Sequence, residues 1–95
     1  MKRYLKTTLL TAGRSTAAEA LERRPAWLAK LREAGMLVAE GVLEDEEGFV
    51  EVLAVVDRRQ AEAVNAEDPL VETGVAGWIL RPLARFDTTE STSNP

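Results

Sequence analysis

The chain contains no cysteine and no histidine. Without cysteine there are no disulfides, thiolate nucleophiles or sulfur-ligated metals, and without histidine the commonest general base and metal ligand is gone. Ser15 therefore has no imidazole to activate it, which excludes a Ser-His nucleophile. No apolar run approaches the roughly 20 residues that span a bilayer. The basic opening MKRYLKTTLL has a short apolar part interrupted by threonine and no small-residue cleavage site, so it does not read as a signal peptide. A cytoplasmic protein is the default expectation. Basic residues are also few, 12 against 16 acidic ones for a net charge of -4, and they are scattered. That argues against a nucleic-acid surface, which draws its affinity from clustered Lys and Arg, and against a basic membrane-surface helix.

What remains is a 95-residue chain, 45% apolar and 29% charged, the composition of one ordinary globular domain. A domain this size buries roughly two thirds of its unfolded surface, and dimerisation would enlarge a modest core. Tyr4 to Leu10 alternates with the period of two that marks a strand. Ser15 or Thr16 can cap a short helical stretch through AAEALERR, and Pro25 predicts the start of a second, stronger helix, because an interior proline loses a hydrogen bond and clashes with the preceding turn. Trp27, Leu28, Leu31 and Ala34 supply that helix's buried face and Gly35 ends it. Met36 to Leu43 and Phe49 to Val56 read as a hairpin across the acidic turn EDEEG. A short helix follows with Asp57 as N-cap, then a helical turn with Asp68 as cap, Pro69 in first position and Gly74 as terminator. GWILRPLARF is the last strand, which Pro82 places at a sheet edge or near a bulge. The domain spans residues 1–86, and the polar stretch 87–95 reads as a disordered tail.

The order β-α-β-β-α-β predicts an α+β, ferredoxin-like fold with a four-stranded antiparallel sheet and helices on one face. Alternation assigns Leu5, Leu9, Leu37, Ala39, Val50, Val52, Trp78 and Leu80 to the helix-covered face. It leaves Tyr4, Val38, Phe49, Leu53, Ile79 and Leu83 on the other, too apolar for water, so a second sheet is expected to cover it in a dimeric α/β barrel. Lys6, Glu40, Glu51 and Arg81 fall on this second face, either as ion pairs of an interface or as a polar ligand site.

The segments RRPAWLAKLREAGMLVAEGVL and EDPLVETGVAGWILRPLARF, in that order, resemble the YCII-related family of the dimeric α/β barrel superfamily, over most of residues 3 to 86. The resemblance implies a small homodimeric enzyme that performs lyase, isomerase or dehydratase-type chemistry on a small cyclic or aromatic substrate without a metal or other cofactor. It also implies a His in the first turn of the long helix paired with the Asp of the Asp-Pro motif. Here Asp68 matches the Asp and Trp27 stands at the His, so the dyad is incomplete. The family's Gly-Pro after the second strand is replaced by EGVL.

Asp68 is the candidate acid/base, or a helix cap alone, the two roles differing in where its second oxygen points. Trp27 is either core or a stacking wall with an indole donor. Arg24 and Arg81 suit a carboxylate or enolate oxygen, unless they are ordinary surface or interface residues. Tyr4, the single phenol, is a candidate proton donor or a plain sheet residue. EDEEG lacks the alternating spacing of a calcium loop, and AGRSTA lacks the Lys of a phosphate loop. An alternative to the enzyme is a dimer whose catalytic pair has lapsed and which binds a ligand or a protein partner.

Overall fold

The computed structural model describes residues 1–86; the stretch read as a polar tail lies outside the described residues. The elements are β1 (Lys2–Leu10), α1 (Arg14–Glu33), β2 (Leu37–Val42), β3 (Gly48–Val55), α2 (Arg58–Ala66), α3 (Pro69–Glu72) and β4 (Ala76–Leu83). The strands form one antiparallel sheet in the order β2-β3-β1-β4, the ferredoxin-like arrangement, with Pro82 on an edge strand as its missing N–H requires.

The start of α1 departs from expectation, because its N-cap is Gly13, with no side-chain cap, and Ser15 and Thr16 lie within the helix; the other helix ends follow the sequence grammar. Asp57 accepts from the backbone N–H of Gln60, and Asp68 from that of Leu70. Gly35 and Gly74, both at φ 75°, take the left-handed conformation that lets the following residues bond back into the last turn, Met36 to Leu31 and Val75 to Leu70.

Two further expectations are corrected. First, no helix begins at Pro25: α1 runs unbroken for 20 residues from Arg14 to Glu33 with Pro25 inside it. The Leu21 carbonyl forgoes its helical donor there, a cost of about 3 kcal/mol or more that burial on both sides outweighs. Ala17, Ala20, Arg24, Trp27 and Leu31 are all buried, a 3-4-3-4 spacing that passes straight through the proline.

Second, β1 and β3 present the opposite faces to the helices. Tyr4, Lys6 and Thr8 are buried on β1 and Phe49, Glu51, Leu53 and Val55 point the same way on β3, while Leu5, Val50 and Val52 lie on the other face. An irregularity between Leu37 and Ala39 shifts β2 so that Leu37 and Glu40 share the helix side and Ala39 does not. On β4, Trp78 and Leu80 keep the predicted face, but only Leu80 is buried; Trp78, on the edge, is 44% exposed.

The core is consequently divided. One apolar cluster holds Tyr4, Trp27, Leu31, Leu53, Val55, Ala61, Val64 and Leu80. A second holds Ala17, Ala20 and Leu70, with Leu10 and Phe49 packed on it. On each of three elements one charged residue separates the two: Lys6 between Tyr4 and Leu10, Glu51 between Leu53 and Phe49, Arg24 between Trp27 and Ala20.

Candidate active site

That charged layer is closed by Asp68, at the start of α3. Asp68, Lys6, Glu51 and Arg24 are 0%, 0%, 1% and 4% exposed, a formally neutral quartet inside a 95-residue protein. Isolated buried charges cost several kcal/mol each, so the pairing has to be close, and it is. Lys6 Nζ donates to Asp68 Oδ2 at 2.8 Å and to Thr8 Oγ1 at 2.6 Å. Arg24 donates through Nε to Asp68 Oδ1 at 3.2 Å, and through Nη2 to Asp68 Oδ2 at 3.1 Å and Glu51 Oε2 at 2.8 Å.

Asp68 Oδ1 also accepts the Leu70 N–H, so its two oxygens receive four hydrogen bonds, about the full acceptor capacity of a carboxylate. Burial by itself would raise its pKa; the hydrogen bonds from Arg24 and the charge of Lys6 outweigh that and hold it below the ordinary value. Lys6 moves the other way, its pKa lowered because desolvation exceeds the attraction of Asp68. Burial likewise wins at Glu51, whose pKa is raised despite Arg24. Desolvation of Arg24 is outweighed by Asp68 and Glu51, which keep it charged.

Aromatic faces cover the cations. The Arg24 guanidinium lies 5.1 Å from the Trp27 ring centroid and 4.5 Å from that of Phe49, and Lys6 Nζ lies 5.5 Å from Trp27. Among the described residues three buried side-chain polar atoms have no partner: Trp27 Nε1, Glu51 Oε1 and Asn65 Oδ1. Glu51 and Arg24 also line a pocket of about 160 Å³ between α1 and the β2–β3 hairpin, walled by Leu21, Pro25, Leu28, Val42 and Phe49.

Of the residues singled out in the sequence, the structure thus brings Asp68, Arg24 and Trp27 together. Tyr4 lies in the same core cluster as Trp27 with Arg58 over its ring at 5.8 Å. Arg81 is apart from them: it is exposed, and its pairing with Leu5 puts it on the opposite face of the sheet. Lys6 and Glu51, assigned from the sequence to the uncovered face beside Glu40 and Arg81, pair within the chain beneath α1 instead. The 17-20-24-27-31 spacing was the signal for this, because it sets a charged residue in the middle of an otherwise apolar helix stripe.

No family model and no curated protein matches the chain. Among solved structures it is similar in fold to 5-chloro-2-hydroxyhydroquinone dehydrochlorinase of Burkholderia phenoliruptrix in complex with 2,5-dihydroxybenzoquinone, with a TM-score of 0.73 and 14% identity, over 90% of this chain and 93% of that one. No helix among the described residues is long and apolar enough to cross a membrane.

Proposed function

We propose that the protein is a homodimeric small-molecule enzyme of the YCII-related kind, performing lyase, isomerase or dehydratase-type proton chemistry on a small cyclic or aromatic substrate with its own acid-base groups. The observation that carries this is the buried quartet opening on the Arg24 pocket. Apolar residues of similar volume would fill the same space at equal or lower free energy, so a paired set of four charges beside a cavity is better explained by chemistry than by stability. The fold neighbour, whose name and ligand are those of an enzyme acting on a substituted single ring, supports the substrate class.

In this reading Arg24 faces the oxygen on which charge develops. Its Nε and Nη2 are engaged by the two carboxylates, and among the described residues its Nη1 hydrogens have no partner. Trp27, in the place of the expected His, stacks on Arg24 and supplies no proton. Asp68 orients Arg24 and Lys6; to act as a base itself it would have to release one of four hydrogen bonds. That saturation favours the second reading, a binding module whose catalytic pair has lapsed.

Thermal-shift titration with single-ring phenols, quinones and cyclic carbonyl compounds, followed by product analysis of every hit, tests the proposal. A ligand at 100 times its dissociation constant stabilises by about 2.7 kcal/mol. Expected is at least one such hit that Arg24→Lys weakens, with turnover; hits without turnover select the binding module, and no hit among these classes overturns both.

The dimer has its own test. The face away from the helices carries the half-buried Leu5 and Val50 with Leu9 at 48% and Ile79 at 58% exposure, an apolar surface suited to a second copy. Ile79→Glu is expected to convert a dimer into a folded monomer in sedimentation equilibrium; a wild type that sediments as a monomer removes the homodimer from the proposal.

A further inference from the structure

We infer that Glu51 is the proton-carrying residue of this site and that its ligand is a single six-membered ring bearing one ionisable hydroxyl, bound in the pocket between α1 and the β2–β3 hairpin. The inference rests on the small-molecule reading above and deepens it by naming the acid/base and the substrate class.

Three features of the geometry lead there. The first is the orphan oxygen. Glu51 Oε2 is held by Arg24 at 2.8 Å, whereas Oε1 is buried with no partner among the described residues. An unpaired buried acceptor is costly and uncommon, and a ligand in the adjoining pocket whose donor reaches it by a small shift of the Glu51 side chain relieves that cost. Asp68, by contrast, has no free acceptor to offer.

The second is size. The pocket is about 160 Å³, and an apolar cavity of about 150 Å³ is known to take up benzene. A single ring matches that volume. The third is the wall chemistry: Leu21, Pro25, Leu28, Val42 and Phe49 are apolar, and the charged residues that line the pocket are Glu51, Arg24 and Glu40. Such a lining orients a flat apolar body by a single polar contact.

The step balances on protons alone. The ring O–H bond breaks, an O–H bond forms on Glu51 Oε1, and the negative charge passes from the carboxylate to the ring oxygen, where the Arg24 guanidinium is placed to meet it. The charged groups around Glu51 are Arg24 from α1, Lys6 from β1, Asp68 from the turn before α3 and Glu40 opposite it on β2, the last paired with Arg32. Burial raises the Glu51 pKa, which brings it nearer to that of an acidic ring hydroxyl.

The test uses the full chain, with phenol and benzene as probes, followed by amide NMR, and with the Glu51 carboxyl carbon titrated directly. Expected are shifts centred on Gly41, Phe49 and Glu51, and a Glu51→Gln variant that binds phenol at least tenfold more weakly but benzene within twofold. The Glu51 carboxyl midpoint in the wild type should lie above the ordinary carboxylate range and move when phenol is bound. Equal phenol affinity in Glu51→Gln, or a midpoint indifferent to phenol, overturns the assignment. If ring compounds bind, weaken in Arg24→Lys and perturb amides around Trp27 and Leu70 instead, the small-molecule reading stands and Glu51 is not its acid/base. If no ring binds, both fall.

Discussion

Replacing Arg24 with alanine is expected to lower the free energy of unfolding by about 3 to 5 kcal/mol, the cost typical of removing one partner from a buried ion pair. The substitution strands two carboxylates at once. Glu51 loses the one cation bonded to it and Asp68 keeps only Lys6, while both stay almost wholly out of water. The guanidinium also fills the space between Trp27 and Phe49, so packing is lost with the charge. For a domain of this size, about 4 to 8 °C of melting temperature accompanies each kcal/mol, so a fall of some tens of degrees is expected. Arg24→Met separates the terms, because it keeps most of the volume and none of the charge. If Arg24→Met melts within a few degrees of the wild type, the carboxylates reach water or protons easily and the quartet is not a closed unit. Urea unfolding at fixed pH gives the same comparison as free energies.

This result would also explain why the sequence misleads at β1. Its two faces, Leu5-Thr7-Leu9 and Tyr4-Lys6-Thr8, differ little except that one carries a lysine, and hydrophobicity alone puts the leucines inside. The chain does the reverse because Asp68 and Glu51 neutralise the buried cations, a contact made across 62 residues that no local pattern encodes. Pro25 misleads for a similar reason: the local rule against an interior proline is sound, and the burial of Arg24 and Trp27 on either side overrides it. Features set by neighbours in sequence were legible, among them the Asp57 and Asp68 caps, the Gly35 and Gly74 terminators, the edge position of Pro82 and the element order. Within the site, Asp68 could be named because it sits in a true helix-start context, whereas Arg24 and Trp27 were named beside a proline that lies inside α1 and does not start it. Lys6 and Glu51 were visible only as charges, since which face they occupy depends on the sheet.

The quartet also bears on register. A strand with two nearly equivalent faces is prone to slip by one residue, which would move every side chain to the other side. Slipping β1 would carry Lys6 away from Asp68 and leave a fully buried carboxylate with one cation fewer. The ion pairs therefore penalise the alternative more than they stabilise the native pairing, which is the best-attested structural role of buried charge.

Asp68→Ala carries the second large effect, about 3 to 5 kcal/mol for the broken ion pairs, with about 1 kcal/mol more for the lost helix cap. Asp68→Asn retains an acceptor for the Leu70 N–H but places an NH2 donor where Oδ2 accepts from Lys6 and Arg24, so it breaks the ion pairs while keeping the cap. The pH dependence then shows what the charge does. Asp68 has a folded pKa below its ordinary 3.8, because Arg24 and Lys6 outweigh burial, so its contribution is present above that pH and is lost as pH falls through the folded value. Glu51 has the opposite sign: burial raises it above 4.5, so its contribution is present below that pH and is lost as pH rises through the folded value. Their sum is greatest at about pH 4, between the two ordinary values, and declines on either side. Subtracting the unfolding curve of each variant from that of the wild type removes the surface carboxylates common to both. The Asp68→Asn difference should change chiefly on the acid side of that maximum, and the Glu51→Gln difference chiefly on the alkaline side, with a smaller change on the other side because the two carboxylates share Arg24. If the Glu51 difference instead changes on the acid side, Arg24 holds Glu51 as firmly as it holds Asp68, and the layer carries no proton that a ligand could take or receive.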